Sequence, residues 1–157
     1  MSTLHLADEA ATARLGAALA AVLRPPRGLV ALVGPLGAGK TALARAWLRS
    51  LGVEGAIRSP TYTLVEPYDT AFGRVLHLDL YRLVSAAELY GLGVEDDPCE
   101  DALWLVEWPE RAAGTLPPAR LTVQLEHRAD GGRSAALLGE RWLVNPVAAA
   151  FKGVIQG

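Results

Sequence analysis

The 157-residue sequence predicts an α/β fold of the P-loop NTPase kind, three layers deep, with a mixed, mainly parallel central sheet and antiparallel additions. Three observations predict it. The short apolar run "LVALV" (29–33) leads into a glycine-rich "GPLGAGKT" (34–41), and that into a stretch of helical spacing. Two later apolar segments, "RVLHLD" and "ALWLVE", each finish on a carboxylate and stand about 25 residues apart, room for a parallel crossover. Finally, "LTVQLEH" alternates cleanly, and a turn at "ADGG" sends the chain back through "RSAALLG", an antiparallel pair.

Each element follows from its residues. "TLHL" opens as a strand. "DEAATARLGAALAAVL" repeats apolar residues at Leu15, Leu19, Val22 and Leu23 and carries acids in its first turn, where the helix dipole favours them. "RPPRG" ends it. "LVALV" is unbroken in the way of a parallel strand covered on both faces. From Thr41 onward Leu43, Trp47, Leu48 and Leu51 mark one face of a second helix, which Gly52 stops. "SPTYTLVEPY" reads as extended, because Pro60 steers Ser59 away from helix and the β-branched Thr61, Thr63 and Val65 follow. Past "DTAFG", "RVLHLDLY" sets Leu76, Leu78 and Leu80 against Val75, His77 and Asp79. Ser85 and Glu88 have capping-box spacing for a short helix ending near Gly91 and Gly93. The acidic "VEDDPCED" then leads to "ALWLVEW". No internal repeat or linker interrupts the chain, so residues 1–145 are expected to form a single domain, with 146–157 a tail of no readable pattern.

A chain of this length can bury roughly 70% of its unfolded surface, enough for one core. The sequence is 51% hydrophobic and 20% charged, and no apolar stretch approaches the ~18 residues of a membrane span. The first apolar pattern is interrupted by Asp8, Glu9 and Arg14, against a secretory signal. Cys99 stands alone and has no intramolecular disulfide partner. These features are those of a cytoplasmic protein without a membrane attachment. The formal net charge is −2 and no run of Lys or Arg occurs, so the chain by itself is a poor ligand for RNA or DNA phosphates.

Gly34, four intervening residues, Gly39, Lys40 and Thr41 match the phosphate-loop pattern. Glycines let backbone N–H groups curl around an anion, Lys40 adds a positive charge, and Thr41 is placed to put its hydroxyl on magnesium at the start of a helix. Such a site takes a carboxylate from a neighbouring strand, and two acids qualify: Glu107 after "LWLV" and Asp79 after "VLHL". Either is also readable as a strand-end surface carboxylate, and Asp79 as a partner of Arg82. Thr61 could sense a γ-phosphate, as in switch loops, or be one more threonine in an extended segment. Trp108, beside Glu107, is open to the plainer reading of burial against the sheet.

Taken in order, "GPLGAGKT", "SPTYTLVEPY", "HLDLYRL", "ELYGLGVED" and "LVEWPERA" resemble the TsaE family, the small ATPases formerly called YjeE, over roughly residues 10–140. The resemblance implies a Mg²⁺-dependent ATPase that supports a TsaB–TsaD complex in threonylcarbamoylation of the adenosine next to the anticodon, in tRNAs reading codons that start with A. It implies a nucleotide set of Gly34, Leu36, Gly37, Ala38, Gly39, Lys40, Thr41, Ala42 and Trp108. It also implies magnesium at Thr41 and Glu107, and catalytic roles for Lys40, Thr61, Asp79 and Glu107. Contact with tRNA would run through TsaB–TsaD alone, and the free chain would be a monomer. Pro35 departs from the family, which commonly has Asp there, and proline removes one backbone donor from the loop.

Two other readings compete. A small-molecule P-loop kinase would need a lid, generally rich in arginine, yet between Tyr81 and Glu107 only Arg82 is basic. A nucleotide-dependent binding module would bind ATP with hydrolysis incidental.

Overall fold

The structure is a computed structural model that describes residues 1–153. Strand β1 (Ser2–Leu6) is followed by α1 (Glu9–Val22), whose cap Asp8 accepts a 2.9 Å hydrogen bond from the Ala11 N–H. Then come β2 (Gly28–Val33), α2 (Lys40–Ser50), β3 (Val65–Asp69), β4 (Arg74–Asp79), β5 (Ala102–Glu107), β6 (Ala119–His127), β7 (Arg133–Gly139) and α3 (Arg141–Phe151). Short 3-10 turns occupy Ala86–Leu92, Val94–Asp96 and Pro109–Ala112. The first opens on Ser85, whose N–H donates to the Glu88 carboxylate at 3.1 Å.

The seven strands form one sheet in the order β1-β7-β6-β2-β5-β4-β3. The middle, β6-β2-β5-β4, is parallel, and antiparallel strands close both edges. The predicted α/β sheet is therefore present, with one refinement: β6 is antiparallel to β7 but lies parallel to β2, so half of the expected antiparallel pair belongs to the centre. Its alternating pattern comes from its position beside β7, where burial is less complete than on β2.

The central strands are apolar throughout because both faces are covered. On one face Val30, Leu32, Leu103, Leu105 and Leu121 pack against α1, α2 and α3. On the other, Leu29, Ala31, Leu76, Leu78 and Val106 meet the 3-10 segments through Leu89, Val94 and Ala112. Helices α1 and α2 cross at Gly16, where a Cβ would stand 2.7 Å from that of Ala46. Among the described residues no helix is long and apolar enough to cross a membrane.

Two expectations are corrected. "SPTYTLVEPY" is extended only from Val65; residues 60–63 form a turn closed by the Leu64 N–H on the Pro60 carbonyl at 2.8 Å, with Leu64 left-handed at φ 67°. Pairing of β3 with β4 begins at Val65↔Leu78, so Thr61 and Thr63 have no strand partner to reward their β-branched side chains. The division after residue 145 falls inside α3, whose Leu143, Val144, Val147, Ala148 and Phe151 are buried, packing chiefly against α1. Pro146 hid this helix from the sequence pattern: it lies beyond the first turn and forgoes a bond to the Trp142 carbonyl, a loss that burial of Leu143, Val144, Val147 and Phe151 offsets. Residues 154–157 of the expected tail lie outside the described residues.

Candidate functional site

A cleft of about 700 Å³ opens at the carboxyl ends of β2, β4 and β5, the edge where such sheets gather ligands. The chain leaves β2 through the turn at residues 34–39 and enters α2 at Lys40. The path depends on glycine: Gly37 and Gly39 have φ of 77° and 105°, and at Gly34 a Cβ would stand 2.4 Å from the Leu125 carbonyl oxygen on β6. No side chain caps the N-terminus of α2, so its first N–H groups and its dipole face the cleft.

Lys40 is buried at 5% exposure. Its Nζ donates to the Gly34 carbonyl and, at 3.2 Å, to that of Pro35, and lies 3.9 Å from the centre of the Trp108 ring. Burial lowers its pKa, opposed by the charges of Glu107, Asp79 and Glu110. Pro35 lacks a donor, yet its carbonyl also accepts from the Ala38 N–H at 3.1 Å, so this residue serves the loop as an acceptor.

The carboxylates arrive together because the strands are in register: Asp79 pairs with Glu107, and Glu107 with Leu32. The Thr41 hydroxyl donates to both oxygens of Glu107 at 3.0 Å. Asp79 accepts at 3.1 Å from the Tyr81 N–H. Burial raises the Asp79 pKa, moderated by that N–H bond. Among the described residues no three His, Cys, Asp or Glu side chains form a metal cage. The donor set is instead one hydroxyl and one carboxylate, hard oxygens that suit Mg²⁺ bound together with phosphate.

Of the residues the sequence singled out, Leu36, Gly37, Ala38, Gly39, Lys40, Thr41, Ala42, Thr61, Asp79, Glu107 and Trp108 line this one cleft, and Gly34 anchors the loop beneath it. Thr61 sits on the turn rather than on a strand, its hydroxyl 2.7 Å from that of Ser59. Trp108 is half-buried and left-handed at φ 57°, tilted against Tyr81 with ring centres 4.9 Å apart, and so faces the cleft. Arg82 lies over the Tyr62 ring at 4.7 Å.

The family model described as "Threonylcarbamoyl adenosine biosynthesis protein TsaE" matches residues 6–135. The chain belongs to the TsaE family. Curated relatives named tRNA threonylcarbamoyladenosine biosynthesis protein TsaE agree with this. That of Haemophilus influenzae is 37% identical over 95% of this chain and 96% of its own length. That of Treponema pallidum is 36% identical over 78% and 89%. The crystal structure of YdiB from Bacillus subtilis has a TM-score of 0.76 over 97% of this chain and 95% of its own, at 21% identity, and shows the same fold.

The cleft of this TsaE-family chain is also lined by residues that the sequence reading did not place there, among them Glu9, Thr12, Arg45 and Tyr81, and two further side chains bear on its geometry. His77 is wholly buried with Nε2 at 2.7 Å from Glu107 Oε2. Its alternation with Asp79 already put both on one face, but a histidine in an apolar strand gave no further signal. Arg133 reaches from β7 to donate to the Gly37 carbonyl at 3.2 Å, a contact across 96 positions that no local pattern announces.

Proposed function

We propose that this chain binds ATP with Mg²⁺ in the cleft, hydrolyses it, and in the cytoplasm supports a TsaB–TsaD complex in threonylcarbamoylation of the adenosine next to the anticodon, in tRNAs reading codons that start with A. The observation that carries the ATP reading is the Thr41–Glu107 contact at the uncapped start of α2, beside the buried ammonium of Lys40. A hydroxyl, a carboxylate and a cation meet there where the glycine loop offers backbone donors. The partner and substrate reading comes from the family and from the relatives named above.

The N–H groups of residues 36–42 would grip the phosphates, and Lys40 would exchange its loop carbonyls for phosphate oxygens. Thr41 and Glu107 would hold magnesium, which when bound neutralises charge on the phosphates. Asp79, its pKa raised by burial, is a better proton acceptor than a solvent-exposed carboxylate and stands ready to orient and deprotonate water. Thr61, on its turn at the cleft wall, would respond to the terminal phosphate.

The test is phosphate release by this chain alone, with TsaB–TsaD, and with both plus tRNA, alongside a non-hydrolysable ATP analogue. Hydrolysis should be slow alone and faster with the pair, and repeated rounds of tRNA modification should need this chain and a cleavable nucleotide. Phosphate delivered to a small-molecule acceptor instead of water would establish a kinase. Undiminished repeated modification without this chain, together with partner-independent hydrolysis, would refute the proposal.

A further inference from the structure

Glu107 is held from two sides. The Thr41 hydroxyl reaches it from α2, and from β4 His77 places Nε2 at 2.7 Å from Oε2. His77 pairs in register with Leu105, two residues before Glu107, and lies two residues before Asp79, so all three polar side chains emerge on the same face. It is 0% exposed, in a strand whose other buried members are Val75, Leu76, Leu78 and Asp79. Burying an imidazole where a leucine would pack is unfavourable unless a hydrogen bond compensates. Among the described residues Nδ1 has no hydrogen-bond partner, so the contact with Glu107 is the one hydrogen bond this ring makes there.

We propose that His77 is a positioning residue that fixes the Glu107 carboxylate toward the start of α2. An ionised carboxylate only accepts, so Nε2 carries the proton and donates it to Oε2. A glutamate at a strand end has three side-chain torsions; tying Oε2 to a rigid buried ring removes most of that freedom and leaves Oε1 and the Thr41 hydroxyl together at the cleft. Groups that orient a metal-binding side chain in this way commonly matter by ~10- to 100-fold in metal affinity. The inference rests on the reading of Glu107 as the magnesium group.

The experiment compares the parent chain with His77→Leu, His77→Gln and Glu107→Ala by calorimetric titration with an ATP analogue across a Mg²⁺ series and in EDTA, with thermal unfolding of each. His77→Leu should raise the Mg²⁺ concentration for half-maximal binding by ~10-fold or more, while affinity in EDTA stays at the parent value. His77→Gln restores a donor near the Nε2 position and should recover most of the Mg²⁺ response. In the parent chain, ¹⁵N spectra should show the ring protonated at Nε2, and that resonance should move in Glu107→Ala. A parent-like Mg²⁺ requirement in His77→Leu would overturn the inference. So would an unprotonated Nε2, or loss of stability in both His77 variants with no rescue by Gln. If Glu107→Ala keeps the parent Mg²⁺ requirement, the magnesium reading falls and the inference with it; if only His77→Leu keeps it, the inference alone falls.

Discussion

Replacing Lys40 by methionine separates what this residue does for binding from what it does for the fold. Methionine keeps an apolar stem and deletes the ammonium, together with its contact 3.9 Å from the centre of the Trp108 ring. On the proposed ATP reading the deleted charge-assisted contact to phosphate would be worth about 1.5–3 kcal/mol, which at 1.4 kcal/mol per decade predicts roughly a 10- to 150-fold loss of ATP affinity. The effect on stability is smaller, because two terms oppose. The ammonium's bonds to the Gly34 and Pro35 carbonyls are lost, but Pro35 is exposed and Gly34 partly so, and water can replace the donor. In return a buried charge disappears, one whose pKa is lowered chiefly by desolvation. The net change should lie within about 1 kcal/mol, or roughly 2–4 °C in Tm for a chain of this size. The assay is calorimetric titration with ATP and Mg²⁺ beside a thermal melt of the ligand-free protein. A folded Lys40→Met chain with parent-like affinity would refute the phosphate role of this loop; a large fall in Tm would refute the account of its carbonyl contacts.

Asp79→Asn should slow hydrolysis with little change in ATP binding, and it should stabilise the ligand-free chain at pH 7. Because burial raises the folded pKa above the ordinary 3.8, the folded state binds more protons between those values, so stability falls as pH rises through that window and the penalty is complete above the folded pKa. Thermal melts of parent and variant should therefore converge as the pH is lowered to 3.8 or below, and equal melting temperatures at pH 7 would count against this. Gly34→Ala must force a Cβ against the Leu125 carbonyl on β6 and should lose about 1–3 kcal/mol by chemical denaturation; an unchanged midpoint would show that the loop moves freely from the sheet. The Cys99 thiol, pushed up to about 11 chiefly by burial, should react with iodoacetamide at pH 8 more than ~100-fold more slowly than free cysteine, which a timed mass measurement reads.

The sequence was most informative where local pattern and function coincide. "LVALVGPLGAGKT" displays a buried strand, a glycine turn and a helix start within a dozen residues, and the two strand-end acids were visible because each closes an apolar run. What it could not display was register. That Asp79 and Glu107 are side by side, and that His77 therefore touches Glu107, depends on how β4 is set against β5, and parallel strands with continuous apolar sequences carry little alternation to fix that setting. Arg133 was hidden for a related reason, since its reach to Gly37 follows from β6 lying next to β2. The turn at 60–63 carries a strand-like pattern in its threonines, but threonine favours strands only when a neighbouring strand is there to pack against. Helix α3 was concealed by a proline inside it, whose missing N–H the helix withstands because its apolar face is buried.

The pairing of β1 with β7, from Ser2↔Leu137 to Leu6↔Arg133, together with the packing of α1 on α3, has a consequence for how the protein comes into being. During synthesis the first strand and the first helix leave the ribosome well before the segments that cover them, and contacts of such long separation form slowly. The part of α1 that faces α3 thus stays uncovered until the last helix is made, although α2 covers the rest of α1 early. Because β7 lies between β1 and β6 and pairs with both, neither the first strand nor the sixth has its full set of partners until the chain has passed the Gly131 turn.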